Sequence, residues 1–359
     1  MSSPARMAAR LLWQSAKAYA TAAVEELARV APEIVTHGLP STFADPVEDT
    51  RTRLLALAES LDVDRPQLLS HQIAWYKVAL AHRGVAEAYL PDNLAALHRV
   101  LRDSLPAACH ADLDRHLEAA RNTALTAPTE LPSLLEGDGP HRDLARRFLL
   151  AVLENRRQAA IDLVMAAHAR GVATAELHDH VLTLSQREVG RMWSMGEIPV
   201  ADEHYASRLV EQCLDRLDAA TPRPPQRPLR VVTAAVGGDL HGIGLRIIGM
   251  RLAMAGFEVL ELGADMPASD FEWLLQDRRV DVIALGATLV LHVHSARTTI
   301  ERLRALGAAC PAILVGGTPF RVVPDLHTVI GADAAAGDPA TAVHSVERLL
   351  QQRGRAAMG

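Results

Sequence analysis

The most constraining feature of this chain is a change in hydrophobic period near residue 229. From there, compact apolar runs alternate with amphipathic segments, as in LRVVTAAV (229–236), FEVLELG (257–263) and VDVIALGA (280–287), with a further short apolar run within 308–317. Strands that are apolar along nearly their whole length are typical of a parallel sheet covered by helices on both faces. The pattern predicts a doubly wound, flavodoxin-like α/β domain over 229–359.

Upstream of this domain, the apolar residues follow the helical period instead. Two stretches rich in Pro and Gly, 126–140 and 219–228, interrupt the pattern and divide the chain. Residues 1–130 are predicted to form an all-α domain of several helices, compatible with a globin-like fold. Residues 141–218 have the length and periodicity of a four-helix bundle.

Composition restricts the partners and the compartment. The formal net charge is −6, and basic residues are scattered among acidic ones. The sequence therefore shows no basic cluster that would favour nucleic-acid binding. Cys109, Cys213 and Cys310 lie far apart without disulfide or zinc spacing, which suits a reducing compartment. No apolar run has the length of a membrane span or the pattern of a signal peptide. We therefore expect a cytoplasmic protein with no nucleic-acid or membrane partner.

The first predicted strand runs into a glycine-rich loop, GGDLHGIG (237–244). In doubly wound sheets, ligands bind at the carboxyl ends of strands, where this loop should lie. The imidazole of His241 is a suitable donor to cobalt, and Asp239 can accept its other N–H and fix the tautomer. Gly242 and Gly244 would let the backbone pass close to a bulky ligand. A single Asp-x-His is a weak pattern, and a phosphate-binding loop or an incidental histidine are the alternatives.

A second element strengthens the cobalt interpretation. Asp239-Leu-His241-Gly-Ile-Gly244, followed later by Gly316 and Gly317, resembles the cobalamin-binding domain of methionine synthase, corrinoid methyltransferase proteins and cobalamin photoreceptors. Their pattern is Asp-x-His-x-x-Gly, then Ser-x-Leu, then Gly-Gly. The resemblance implies base-off binding, in which the nucleotide tail leaves the cobalt, enters the sheet crevice and is replaced by His241.

The middle element of the pattern departs from the family. Gly286 stands where the family has Ser, Thr288 is the nearest hydroxyl, and Leu289 follows it. The departure concerns the contact to the benzimidazole of the tail and leaves the predicted fold unchanged.

The predicted bundle contains a second resemblance. Trp193 is separated by nine residues from Glu203-His204, which resembles the signature of CarH-type photoreceptors. That resemblance implies adenosylcobalamin beneath a four-helix bundle, with photolysis of the cobalt–carbon bond as the trigger. Ser194 stands where that group has an upper histidine ligand, so a light state with two histidines on cobalt is not expected.

The N-terminal region lacks the basic DNA-binding helices of that group. Its size and its place in the domain order resemble those of photocobilins, which implies biliverdin as a second, non-covalently bound chromophore. The candidate bilin-binding residues are His71, Trp75, Tyr76, His82 and Arg83. His71, Trp75 and His82 share one helical face, and ordinary core packing is the alternative for each of them.

These observations favour a light-sensing regulatory protein rather than an enzyme. We expect it to form a homo-oligomer, most simply a dimer, and to signal through a separate partner. The alternative is a corrinoid methyl carrier of a cobalamin-dependent methyltransferase system, which leaves the Trp193 spacing unexplained. An adenosylcobalamin mutase is excluded, because its substrate barrel needs about 250 residues beside the other domains.

Overall fold

The computed structural model describes residues 3–32 and 45–356. Within them the chain forms two compact units. The first unit comprises Met1–Glu130, Ala287–Arg297 and Thr318–Ile330, and the second comprises Leu131–Gly286, Thr298–Gly317 and Gly331–Gly359. Two segments that follow strands of the predicted sheet therefore belong to the same unit as the N-terminal helices.

The described N-terminal part of the first unit is helical, as predicted. Its α-helices are α1 (Pro4–Val30), α2 (Pro46–Asp62), α3 (Pro66–Ala81), α4 (Tyr89–Ser104) and α5 (His110–Thr126). Each of α1 to α3 begins at a proline, whose fixed φ suits the first helical position. The side chain of Asp45 caps α2 by accepting the N–H groups of Val47 and Glu48. The globin-like arrangement itself is not confirmed.

A buried polar cluster ties α2 to α4. The guanidinium of Arg53 is fully buried and forms an ion pair with Asp49 one turn earlier. It also donates to Asn93 Oδ1 at 2.9 Å, and the hydroxyl of Tyr89 donates to Asp49 at 2.7 Å. Such a pair gains little over apolar packing, but the loss of one partner would leave a buried charge uncompensated. The cluster therefore fixes how these helices pack within the first unit.

The second unit begins with helices packed around a common apolar core. They are α6 (Arg142–Leu153), α7 (Arg157–Ala169), α8 (Thr174–Leu177), a π-helical turn (His178–Leu182), α9 (Thr183–Ser194) and α10 (Val200–Ala220). Their core includes Phe148, Val164 and Leu209 and extends to Ile247 and Met250 of the following domain. The region is helical as predicted, whereas the specific four-helix topology stays a prediction.

The predicted parallel sheet is confirmed. Its strands are β1 (Arg230–Val236), β2 (Glu258–Met266), β3 (Val282–Gly286), β4 (Ala312–Gly316) and β5 (Ala334–Ala336), in the order β2-β1-β3-β4-β5. All neighbouring pairs are parallel. The remaining α-helices are α11 (Ile243–Met254), α12 (Asp270–Asp277), α13 (Val293–Ala305), α14 (Thr318–Val322), α15 (Leu326–Val329) and α16 (Pro339–Ala356). This order belongs to the doubly wound folds whose ligands bind beyond the carboxyl ends of the strands.

None of the helices in the described ranges is both long and apolar enough to cross a membrane.

The π-helical turn contains a histidine in an unusual setting. The side chain of His178 is fully buried, and neither ring nitrogen has a hydrogen-bond partner among the described residues. Burial lowers the pKa of His178 to about 4, and the charge of Arg251 lowers it further while Asp218 opposes the shift. His178 is therefore neutral in the folded protein at pH values where an unfolded chain would bind a proton.

We expect the second unit to lose stability on acidification through His178. Below the unfolded pKa of about 6.5, only the unfolded chain binds this proton, so stability falls as the pH drops toward 4. The expected loss between pH 7 and pH 5 is about 2 kcal/mol. Urea unfolding of His178→Gln should show a flatter pH dependence than the wild type. His204→Gln, which changes an exposed histidine, is the control, and an unchanged slope in His178→Gln would contradict the expectation.

Candidate functional site

The loop after β1 is held by the end of β2. Gly238 N–H donates to the carboxylate of Asp265 at 2.7 Å, and Asp265 N–H donates to the carbonyl of Asp239 at 2.9 Å. Asp265 has φ 54°, and the pairing between β1 and β2 is irregular just before it. This local change in the backbone turns the side chain of Asp265 toward the loop. Sequence reasoning missed Asp265. The only available signal was a carboxylate just after an apolar strand.

The glycines of this loop differ in what they contribute. Gly238 has φ +87°, which L side chains rarely adopt, so this position requires glycine. Gly242 precedes α11 and Gly244 lies in its first turn, and a Cβ added at either would meet no atom within 4 Å. The backbone at these two positions therefore remains accessible from outside, as a close approach of a ligand would require.

Asp239 and His241 form the central pair of the site. Asp239 has no exposed side-chain surface, whereas 56% of the His241 side chain is exposed. One carboxylate oxygen of Asp239 lies 2.8 Å from His241 Nδ1 and accepts the backbone N–H of His241 at 3.1 Å. The hydrogen bond to Asp239 raises the pKa of His241, aided by the charges of Asp239 and Glu203 and opposed by partial burial. The carboxylate thus fixes the ring so that Nε2 faces away from Asp239.

Glu203 lies within electrostatic range of His241 and is itself held in place. Its carboxylate accepts a hydrogen bond from Ser207 at 2.7 Å, and Gln186 donates to Ser207 at 2.6 Å. The other carboxylate oxygen lies 2.7 Å from Nδ1 of His204, whose side chain is 74% exposed. Gln186 and Ser207 were not predicted, because they lie on different helices and form no sequence motif.

A row of small residues crosses the carboxyl edge of the sheet. Ala235, Gly286, Gly316 and Ala336 are register partners on four adjacent strands, so they lie on the same face. A Cβ added at Gly286 would lie 2.6 Å from Leu245 Cδ1, and one at Gly316 would lie 3.1 Å from the carbonyl of Ala336. Leu245 of α11 packs directly against this row at Gly286.

A cavity of about 230 Å³ lies beside Leu245. It is lined by Thr233 and Glu261 on the strands and by Leu245 and Arg246 on α11, among others. Leu245 thus contacts both the cavity and Gly286. Partial burial raises the pKa of Glu261, and the charges of Arg246 and Arg223 oppose that shift.

The remaining residues of the predicted pattern lie at the ends of β3 and β4. Thr288 and Leu289 belong to the segment that follows β3 and is part of the first unit, where Leu289 N–H donates to His292 Nδ1 at 3.2 Å. Gly317 has φ +122° directly after β4.

Trp193 and Ser194 lie at the end of α9 and face the helical core. Trp193 is partly buried and packs against the apolar core of the second unit. The buried hydroxyl of Ser194 donates to the carbonyl of Arg191 at 2.7 Å, a bond that closes the helix end.

The candidate bilin residues face different surroundings. Tyr76 is buried against the Arg53 guanidinium and contacts the ring of Trp75 edge-on. His82 Nε2 lies 3.0 Å from the carbonyl of Thr129, Arg83 donates to the carbonyl of Ala79, and His71 is exposed. His71, Trp75 and Tyr76 lie on α3, as predicted, whereas His82 and Arg83 follow the end of that helix at Ala81.

The described residues contain no cluster of three or more His, Cys, Asp or Glu side chains that could hold a metal ion. A metal bound through His241 would therefore need most of its ligands from elsewhere, which is the case for the cobalt of a corrin ring.

Comparison with known proteins identifies two segments of the chain. Residues 229–346 match the sequence family "B12 binding domain", and residues 144–218 match a second family of the same description. The α/β domain is thus a Rossmann-like B12-binding domain, and the helices before it carry a B12-binding sequence of their own. The comparisons support cobalamin or another corrinoid as the cofactor.

The relatives to which this chain is similar include corrinoid proteins. Dimethylamine corrinoid protein 3 of Methanosarcina acetivorans is 28% identical over 56% of this chain and 93% of its own length. Trimethylamine corrinoid protein of Methanosarcina barkeri is 26% identical over 56% of this chain and 93% of its own. The structure of Methanosarcina barkeri monomethylamine corrinoid protein aligns with a TM-score of 0.52 and 20% identity, over 58% of this chain and 99% of that one, which shows a shared fold.

The assignment to CarH-type photoreceptors is wrong, and so is the light-sensing function inferred from it, because the relatives are dimethylamine and trimethylamine corrinoid proteins. Neither adenosylcobalamin as the specific form nor biliverdin is supported. Trp193, Glu203 and His204 had the spacing of the photoreceptor signature by sequence alone. In the structure, Trp193 packs into the helical core and Glu203 is hydrogen-bonded to its own helix.

The Asp239–His241 pair can be tested in the protein without added cofactor. We expect NMR titration to give His241 a pKa above 6.5, since its charged form is stabilised by hydrogen bonding to a carboxylate. Asp239→Asn should lower this pKa more than Glu203→Gln does, because Asp239 supplies both a hydrogen bond and a charge. An equal or larger effect of Glu203→Gln would contradict the geometry.

Proposed function

We propose that this protein is a corrinoid methyl carrier of a methyltransferase system, binding cobalamin base-off with His241 as the lower cobalt ligand. The observation that carries the proposal is the Asp239–His241 pair, a buried carboxylate behind an exposed imidazole at the carboxyl end of β1. The corrinoid proteins that align with the chain support the same function. The chain would then be a carrier and not itself an enzyme.

The residues present fit a corrin ring with a displaced nucleotide tail. His241 is exposed enough to reach a metal outside the sheet, and Asp239 accepts its Nδ1–H, which makes Nε2 a stronger donor. Gly286 and Gly316 keep the ends of β3 and β4 free of side chains, and a Cβ added at Gly286 would lie 2.6 Å from Leu245 Cδ1. Bound cobalamin would supply a cobalt centre that accepts and releases a methyl group.

The residues proposed to contact the cofactor fall into two groups, one for each face of the corrin ring. Those proposed to contact the lower face and tail are Asp239, His241, Gly242, Gly244, Gly286, Thr288, Leu289, Gly316 and Gly317. Trp193, Glu203 and His204 are proposed to lie toward the upper face, where Gln186 and Ser207 orient the carboxylate of Glu203. The charge of Glu203 raises the pKa of His241, so the two side chains interact electrostatically.

The proposed partner is a methyltransferase that charges or discharges the carrier. A carrier must expose the upper face of its cofactor to a second protein, so binding to that partner should be transient. Self-association into a dimer stays a prediction.

The lower ligand can be identified by electron paramagnetic resonance. Protein loaded with cobalamin and reduced to the cobalt(II) state should show coupling to one axial nitrogen, and uniform ¹⁵N labelling of the protein should change that coupling. This result requires a protein nitrogen as donor and excludes the benzimidazole of unlabelled cobalamin. His241→Ala should abolish the labelled coupling, whereas His204→Ala, a nearby exposed histidine, should leave it intact. An isotope-insensitive spectrum in the wild type would refute the proposal.

Methyl-carrier function also predicts the preferred form of the cofactor. We expect the protein to bind methylcobalamin at least as tightly as adenosylcobalamin, because a methyl carrier has no adenosyl group to recognise. Equilibrium binding followed by absorbance measures both affinities. A tenfold preference for the adenosyl form, equivalent to about 1.4 kcal/mol, would argue against a methyl carrier.

A further inference from the structure

The N-terminal helices have no assigned role in a methyl carrier. The B12-binding families match only from residue 144 onward, and the relatives align over almost all of their own length but little more than half of this chain. The same helices nevertheless form one compact unit with the segment Ala287–Arg297. That segment is joined to Gly286, the last residue of β3, by a single peptide bond.

Glu59 of α2 makes the most buried of these contacts. Only 4% of the residue is exposed, and its carboxylate accepts the backbone N–H of His294 at 2.6 Å. Trp13 of α1 also hydrogen-bonds to Glu59, and its ring centroid lies 4.1 Å from that of His294. Two helices of the unit thus converge on the first turn of α13.

An ion pair one turn away extends the contact. Arg297 donates to Asp62 at 2.6 Å, and both side chains are largely buried, with exposures of 16% and 10%. The second segment is held in the same way, since Arg65 donates to both carboxylate oxygens of Asp325. The segments after β3 and β4 are therefore both anchored to the end of α2 and the residues just beyond it.

Glu59 accepts the His294 N–H where water has little access, since only 4% of the residue is exposed. Burial raises the pKa of Glu59, and the hydrogen bond from His294 opposes that shift. Removal of the Glu59 side chain would take this acceptor away from the His294 N–H. The position of His294 consequently depends on Glu59, and so does the path of the chain back to Thr288 and Leu289.

We propose that Glu59 is a positioning residue through which the N-terminal helices hold the segment after β3 and thereby slow the release of bound cobalamin. This inference rests on the proposed function, because Thr288 and Leu289 are proposed cofactor contacts. The N-terminal helices would then help the carrier to retain its cobalamin.

Three variants of the full chain test the role of Glu59. Glu59→Ala removes the acceptor, and Glu59→Gln keeps a carbonyl oxygen that can accept the His294 N–H. Glu48→Ala is the control, since it removes from the same helix a carboxylate that pairs with Arg51 near the surface. Hydrogen exchange of the peptide covering 287–297 is measured without cofactor, and cobalamin release is measured after dilution into a large excess of a competing cobalamin-binding protein.

Glu59→Ala should increase both the exchange rate of this peptide and the rate of cobalamin release by about tenfold, the equivalent of one lost hydrogen bond. Glu59→Gln should restore both to within twofold of the wild type, and Glu48→Ala should change neither. Equal effects of Glu59→Ala and Glu48→Ala, or no effect of Glu59→Ala, would overturn the proposal. If the wild type does not bind cobalamin, the proposed function fails, whereas the exchange measurement still tests whether Glu59 holds the segment.

Discussion

The site depends on the buried carboxylate of Asp239. It has no exposed surface, and one of its oxygens contacts both the ring and the backbone N–H of His241. A buried carboxylate is stable only if its environment supplies donors, and here His241, the residue that it orients, supplies them. The backbone of Asp239 is in turn bonded to Asp265 at the end of β2. The direction of the imidazole is thus set by the sheet itself.

The parallel sheet contributes a second constraint, the alignment of strand ends. Because neighbouring strands run in the same direction, Ala235, Gly286, Gly316 and Ala336 fall at one edge and on one face. Each position is occupied by alanine or glycine, at the edge where the His241 loop also begins. The glycine at position 286, in place of the family's serine, lies against Leu245, and a Cβ there would lie 2.6 Å from Leu245 Cδ1. A side chain at this position would therefore require Leu245 to move.

Much of this arrangement could be predicted from sequence, for reasons that particular residues make clear. β1, β3 and β4 were predictable because nearly all of their residues are buried, and His241 was predictable because its whole pattern is local. Asp265 was not, since its role depends on a positive φ and irregular pairing that no local pattern encodes. Helical spacing correctly placed Tyr76 on a helix, but its contact with Arg53 depends on packing between helices that are distant in sequence.

The prediction of light sensing was wrong because the sequence pattern for one face of the cofactor does not reveal what lies on the other face. The lower-face pattern around His241 is shared by methyl carriers and photoreceptors alike, so it identifies a cobalamin-binding domain and nothing more specific. Any distinction must come from the helices of 142–220, and there the sequence spacing of Trp193 and Glu203 fixed only their positions on α9 and α10. The spacing could not reveal that Trp193 packs into the helical core, or that Glu203 is already held by Ser207. Because side-chain direction on a helix is decided by its neighbours, a signature that spans two helices needs the structure before it can indicate a ligand.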